Sequence, residues 1–380
     1  MSGTNLPAPV GPVSVGEILR QGRNLLISNP SFQKWAASFP LTRLLAERQS
    51  NALFDLCSGF VYSQILLASV RLDLFTKLSG GPRSTAALAE DLGLSVDATQ
   101  RLLRATTSLK LTDELEGERY TLGELGAAML ANPAIAAFVE HHALLYKDLT
   151  DPVELLKGKA QTELSGFWPY AKPGEDAAPP ETYARYSELM SQSQTLIADD
   201  ILDAFQPSTP RSWLDLGGGE GVFAAALGEF APQIEVTMMD LPPVAARARV
   251  ALQTRGMLSR VNVLEGDFFK DPLPQGSSVV SLIRILHDHD DDQVRALLAK
   301  IHAATEPGAT LLIAEPMAGG RGADRVADAY FNFYLLAMGR GRGRSVKELT
   351  DLLTAAGFAD IRPLESRRPM LASILVAQRV

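Results

Sequence analysis

The sequence predicts an α/β chain in two parts: an open, largely parallel sheet covered on both faces by helices, preceded by a helical and winged-helix half. Three observations predict it. From about Ser208 onward, strand-like runs alternate with helix-like runs, the pattern that lays parallel strands beneath crossover helices. The first of these strands runs into Gly217-Gly218-Gly219-Glu220-Gly221, where missing side chains let the backbone turn tightly and approach a ligand. Between Ser84 and Leu122 the order is helix, turn, helix and hairpin, the outline of a winged helix.

Composition bounds the rest. A chain of 380 residues accommodates two or three domains, and 46% hydrophobic with 21% charged residues excludes wholesale disorder. The formal charge of −8 argues against nucleic acid as a partner, since phosphate binding needs a basic face. Cys57, the one cysteine, can form neither an internal disulfide nor a thiolate cluster, which fits a reducing, cytoplasmic setting. Beyond the N-terminal tail, the longest uncharged stretches, 56–70 and 125–139, fall short of the ~18–20 residues a bilayer crossing needs, so no span is expected. Residues 1–14 lack a basic segment followed by an apolar core and read as a disordered tail, not a secretory signal.

Residues 14–50 read as short helices broken at Pro30 and Pro40. From Ala52 the spacing of Leu53, Val61, Ile65, Leu66 and Val70 gives a helix with a broad apolar face, which a second subunit could cover. Ser84 caps a helix over 85–92 that Gly93 ends, and Ser95 opens a second through about Leu109. A hairpin over 111–115 and 119–122 follows. Recognition of DNA by the second helix is one reading and a dimerisation scaffold the other. Five basic against eight acidic residues over 80–125 would repel phosphates, which favours the scaffold and no nucleic acid. Residues 131–205 read as mostly helical, interrupted by a proline-rich loop over 166–181. Strands are expected over 212–216, 235–239, 261–264, 278–285, 310–315, 360–364 and 371–378. The expected division is therefore a tail (1–14), a helical and winged-helix dimerisation domain (15–165), a loop and connecting helix (166–207) and the sheet domain (208–380).

The chemistry gathers at strand ends. A dinucleotide fingerprint starting at Gly217 would want glycine at Val222, and no Gly-Lys-Ser/Thr follows, so neither a nicotinamide fingerprint nor a P-loop is present. The second strand ends at Asp240, placed to accept hydrogen bonds from a ribose diol. The third is followed by Asp267-Phe268, an acid for an adenine amino group and a ring to pack on the base. Three such features on the ligand edge of one sheet point to a nucleoside site. After the fourth strand comes Arg284-Ile285-Leu286-His287-Asp288-His289-Asp290-Asp291-Asp292. A metal reading of the His-x-His-x-Asp run ranks below catalysis, because no further histidine has ligand spacing. Asp290–Asp292 complement a helix N-terminus, whereas His287 leaves a buried strand where a base is useful.

These residues (214–221, Asp240, 266–268, 286–288, Ala314-Glu315), with the winged-helix front half, resemble the plant-type S-adenosylmethionine-dependent O-methyltransferases from about Asn51 to the C-terminus. Finer runs (FDLCSGFVYSQILLASVRLDLF at 54–75, EHHALLYKDLTDPVELLKG at 140–158, FWPYAK at 167–172, MGRGRGRS at 338–345) resemble the bacterial branch that methylates the tertiary C-1 hydroxyl of acyclic carotenoids, the hydroxyneurosporene type. The resemblance implies a class I Rossmann-like methyltransferase domain of seven strands, the last antiparallel, in a homodimer. It implies S-adenosyl-L-methionine as methyl donor, no metal, and a small hydrophobic hydroxycarotenoid as acceptor.

Residue by residue, the resemblance implies cofactor contacts at Gly217 and Gly219, ribose binding by Asp240, and adenine binding by Asp267 and Phe268. Met190 matches a methionine near the donor's methionine portion, and Arg284 completes the cofactor-side set. His287 takes the base position, supported by Glu315. Two departures stand out: Gln194 where the family has Ser or Thr, and Gly343 where it has a second acid. Arg284 is expected to replace part of that polar environment, and the His287 ring is expected to stay neutral at pH 7. A membrane-dissolved acceptor implies weak peripheral membrane contact, expected to be apolar and insensitive to salt because the net charge is −8. Other readings stay open: a bacteriochlorophyll intermediate or aromatic polyketide as acceptor, a non-catalytic winged-helix regulator, and a nicotinamide dehydrogenase, which Val222 disfavours.

Overall fold

The computed structural model describes residues 14–167, 194–206, 212–319, 324–369 and 371–380. They fall into two compact units that divide between Ala127 and Ala128.

The first unit begins with three helices, α1 (Val15–Ile27), α2 (Pro30–Ser38) and α3 (Pro40–Arg71). Pro30 and Pro40, expected as breaks, are the first helical residues of α2 and α3. At that position the missing N–H costs nothing and the fixed φ is already helical. The helix expected from Ala52 therefore starts at Pro40 and runs 32 residues. It is long and apolar enough to cross a bilayer by length and composition, which the count of uncharged runs did not show, because a span tolerates an isolated charge such as Asp55. Core and interface helices pass the same test.

After α4 (Leu74–Ser79) comes the winged-helix element: β1 (Arg83–Ser84), α5 (Thr85–Leu92), α6 (Val96–Ser108), β2 (Thr112–Leu115) and β3 (Arg119–Leu122). Ser84 and Ser95 cap the two helices as expected, and Gly93 ends α5 at φ 65°. The three strands pair in the order β1-β3-β2. Leu74, Leu78, Leu88, Leu103 and Tyr120 close the small core beneath them. Helix α7 spans Glu124–Leu130.

The second unit carries α8 (Pro133–Asp148), α9 (Pro152–Leu156), α10 (Glu163–Phe167) and α11 (residues 194–204), then the sheet. Helices α8–α10, grouped by sequence with the N-terminal half, lie in this unit. Leu145, Leu155 and Leu164 form one core cluster with Tyr334, Leu335 and Met338. Apolar periodicity shows that these helices need a partner; it does not show that the partner lies almost 200 residues onward.

Strands β4 (Ser212–Leu216), β5 (Glu235–Asp240), β6 (Val261–Glu265), β7 (Val279–Ile283), β8 (Thr310–Glu315), β9 (Phe358–Leu364) and β10 (Ser373–Arg379) form one sheet in the order β6-β5-β4-β7-β8-β10-β9. The first five are mutually parallel, while β10 is antiparallel to both β8 and β9. Helices α12 (Val222–Phe230), α13 (Pro242–Thr254), α14 (Asp291–Ala304), α15 (Asn332–Met338) and α16 (Val346–Ala355) accompany it. Every residue of β7 is buried, as continuous apolar strands of two-sided sheets require. The chain steps outward from β4 to β6 and returns on the other side at β7. The carboxyl ends of β4 and β7 therefore flank the crevice where open sheets of this kind bind ligands.

Candidate active site

At that edge the turn after β4 is built from three glycines in left-handed conformation, Gly217, Gly219 and Gly221, at φ 72°, 58° and 75°. A Cβ on Gly217 would collide with Ile285 and meet Phe268, whereas one on Gly219 would meet nothing within 4 Å. The turn is packed on one side and open on the other. The Gly219 N–H donates to Asp240 Oδ2 at 2.8 Å, and the Leu241 N–H donates to Oδ1 at 2.8 Å. Each carboxylate oxygen keeps a lone pair for a further donor. Burial raises the Asp240 pKa to about 6 against the two backbone hydrogen bonds. Beneath it Asp215 is buried, accepts from Ser281 Oγ at 2.6 Å, and is pushed up to about 7 by burial.

Asp267 and Phe268 follow β6. Phe268 reaches the Gly217 turn and lies beside Phe269 and His289, at ring separations of 4.8 and 6.2 Å. The Asp267 carboxylate already accepts from the Phe269 N–H at 2.9 Å and pairs with the exposed Lys270 ammonium at 3.0 Å. An adenine amino group would have to compete with Lys270. Met190 lies outside the described residues, and Gln194 sits half-buried at the start of α11.

Arg284 leaves β7 at φ 58°, a left-handed conformation a non-glycine residue adopts at some strain, while its N–H donates to the Ala314 carbonyl at 2.8 Å. Three residues on, His287 lies in a short 3₁₀ turn (Leu286–Asp288) and is buried. Its Nε2 is 3.1 Å from Asp288 Oδ1, and its Nδ1 is 3.9 Å from Glu315 Oε2. The His287 N–H donates to that same Oε2 at 3.1 Å. Both Nδ1 of His287 and Oε1 of Glu315 are buried without a hydrogen-bond partner. Burial works against the imidazolium, yet Asp288 and Glu315 together outweigh burial and Arg284, so the His287 pKa rises above its usual 6.5. The rise is that of a histidine with a second acid, which position 343 does not supply. The second acid is Asp288, next to the histidine itself. Burial raises the Glu315 pKa, opposed by His287 and Arg344.

The loop carrying His287 is clamped from the glycine–arginine run. Arg344, fully buried, donates to the Leu286 carbonyl at 2.6 Å, the His289 carbonyl at 2.7 Å and Asp291 Oδ1 at 2.7 and 3.0 Å. The Arg342 N–H donates to the His287 carbonyl at 2.9 Å, and its guanidinium bridges Asp291 and Glu348. Gly341 approaches so closely that a Cβ there would overlap the His287 carbonyl oxygen. Gly343 donates its N–H to Asn332 Oδ1 at 3.3 Å. Sequence reasoning missed this clamp, since it quoted the run only for its resemblance.

A π-helical segment (Asp324–Phe331) leads into α15 and adds an aromatic wall. Phe331 lies 5.9 Å from the His287 ring. Tyr330 and Tyr334 hydrogen-bond to His142 and His141 of α8 at 2.9 and 2.7 Å. Burial lowers both histidines to about 4 and raises both phenols well beyond their usual 10, so the pairs are neutral near pH 7. Among the described residues no group of three His, Cys, Asp or Glu side chains is arranged to hold a metal.

A switch-point crevice with a glycine turn against a strand-end acid, and a carboxylate-flanked histidine on the same edge, fits an enzyme that works with a nucleoside-bearing cofactor. Comparison gives the family. Residues 146–359 match the O-methyltransferase domain and residues 54–132 its dimerisation domain, and the chain belongs to that family. It is 40% identical to the demethylspheroidene O-methyltransferase of Cereibacter sphaeroides, over 93% of each chain. Against the enzyme of the same name from Rhodobacter capsulatus it is also 40% identical, over 90% of this chain and 85% of that one. Human N-acetylserotonin methyltransferase, solved in complex with S-adenosylmethionine, superposes with a TM-score of 0.73 at 25% identity, covering 87% of this chain and 97% of that one. The protein is an S-adenosylmethionine-dependent O-methyltransferase.

Proposed function

We propose that the enzyme methylates the tertiary C-1 hydroxyl of an acyclic 1-hydroxycarotenoid, of the hydroxyneurosporene or demethylspheroidene type. The observation that carries this reading is 40% identity over nearly the whole length to two demethylspheroidene O-methyltransferases. It acts as a homodimer through the region matched by the dimerisation domain, at the periphery of a membrane that dissolves the acceptor.

The residues present fit the donor. The open side of the Gly217–Gly219 turn and the spare lone pairs of Asp240 suit a ribose diol, with Phe268 against the adenine and Asp267 taking its amino group once Lys270 yields. Met190 stays assigned to the donor's methionine end by resemblance alone, and Arg284 sets the polarity between donor and acceptor sides. When bound, S-adenosylmethionine supplies a methyl group on a cationic sulfur, open to in-line displacement. Most of the rate comes from holding acceptor oxygen and methyl carbon in attack geometry.

Nδ1 of His287 is buried beside Glu315, so Nε2 is the nitrogen that meets the acceptor hydroxyl, displacing its 3.1 Å contact with Asp288 Oδ1. A tertiary alcohol is too weak an acid to be ionised beforehand by imidazole. Nε2 therefore takes the proton as the carbon–oxygen bond forms. Asp288 and Glu315 stabilise the resulting imidazolium. Because the same carboxylates raise the ring's pKa above its usual 6.5, turnover rises with pH through a midpoint shifted upward.

The test is mass spectrometry of products from a panel of acyclic 1-hydroxycarotenoids, bacteriochlorophyll intermediates and aromatic polyketides incubated with S-adenosylmethionine. The reading expects a gain of one methyl group on the hydroxycarotenoids. A gain confined to another class replaces it.

A further inference from the structure

The start of the chain departs from the rule that amphipathic helices turn their apolar stripe inward. On α1, Val15, Ile18, Leu19, Leu25 and Leu26 share one face, with Arg20 and Asn24 opposite. No residue of α1 is buried, and these five are between 55% and 74% exposed. Helix α2 adds Trp35 and Phe39, both exposed, their rings stacked at 5.1 Å. The charge departs as well. Over residues 14–53, Arg20, Arg23, Lys34, Arg43 and Arg48 stand against Glu17 and Glu47, a net +3 within a chain of −8. The match to the family's dimerisation domain begins only at residue 54, so it leaves this segment out.

We propose that residues 15–53 form an interfacial segment that docks on an anionic lipid surface. The apolar face of α1 and the Trp35–Phe39 pair enter the acyl boundary, and the arginines and Lys34 lie at headgroup level. Amphipathic helices with cationic polar faces bind this way, Trp favours the same depth, and each cation near an anionic leaflet adds attraction. This deepens the membrane-peripheral part of the proposed function and reverses its salt dependence. The chain-wide charge implies salt-insensitive attraction, whereas the local +3 implies attraction that salt weakens.

The test mixes the full-length enzyme, without acceptor, with vesicles of phosphatidylcholine alone or with roughly a third phosphatidylglycerol. Sedimentation with the anionic vesicles should be about tenfold stronger, and should weaken about tenfold from ~0.1 to ~0.5 M salt. Arg20→Glu/Arg23→Glu and Leu19→Glu/Leu26→Glu should each abolish the preference while leaving S-adenosylmethionine affinity and sedimentation mass unchanged. Equal binding to both vesicle types, or binding indifferent to these variants, overturns the proposal. So does a leucine variant that halves the mass, which would put a second copy on this face. Because no acceptor is present, failure here leaves the acceptor assignment standing, and failure of the acceptor panel leaves this one standing.

Discussion

The turn after β4 and the loop after β7 leave the same sheet edge, yet they are held by different means. The Gly217–Gly221 turn is shaped by its own φ angles and by Asp240, one strand away. The His287 loop is shaped by Arg342 and Arg344, more than 50 residues further on. Backbone geometry thus builds the proposed donor side and long-range charge builds the proposed acceptor side. The two should fail separately.

Four measurements break or sharpen that separation. The largest effect is expected at His287. His287→Ala should cut turnover by about 10²–10⁴ while calorimetric affinity for S-adenosylmethionine stays near wild type. A space-filling histidine would instead give normal turnover with a depressed melting temperature. Next is Arg344→Met, which leaves the Leu286 and His289 carbonyls without their buried donor, while the part-exposed Asp291 keeps Arg342. Each buried carbonyl left without a donor costs about 1–3 kcal/mol. Turnover in the fraction still folded should drop too, with donor affinity spared, whereas equal losses of turnover and donor affinity would merge the two sides.

Asp240→Ala should weaken donor affinity by about 1.5–3 kcal/mol without slowing the bound complex, the scale for losing charged hydrogen bonds. The same residue sets a pH test. With its pKa raised to about 6, Asp240 gives up acceptor capacity for the ribose as it is protonated, so wild-type affinity should fall as pH drops below about 6. Asp240→Asn should remove that fall, and an identical slope in wild type and variant would discard the ribose assignment. The smallest effect is at Lys270. It is exposed and holds Asp267 only at the surface, so Lys270→Ala should shift donor affinity by less than about 1 kcal/mol. A larger loss would make Lys270, rather than Asp267, the group the donor needs.

What was legible in the sequence follows the same divide. The first and fifth sheet strands match their expected limits, and Asp240 ends β5 as anticipated, because apolar runs and glycine punctuation are local signals. Asp290–Asp292 open α14 as a helix N-terminus, also a local inference. Asp288, beside His287 in sequence, was passed over because strand-end spacing does not say which way a 3₁₀ turn points its side chains. Arg344 was illegible for a different reason. An arginine in a glycine-rich run looks like a solvated loop until the loop it clamps is known. Pro30 and Pro40 show the local signal misread, since proline ends one helix and begins another with equal ease.

The paired histidines and tyrosines of α8 and the π-helical segment have an optical consequence. Tyr330 and Tyr334 ionise far above the usual 10, so in an alkaline ultraviolet titration they stay dark while solvated phenols turn to phenolate. Denaturing the protein releases them to titrate with the rest. With the buried Tyr120 replaced by Phe, the difference in phenolate absorbance between folded and unfolded enzyme gives a label-free readout of whether the wall beside His287 is packed.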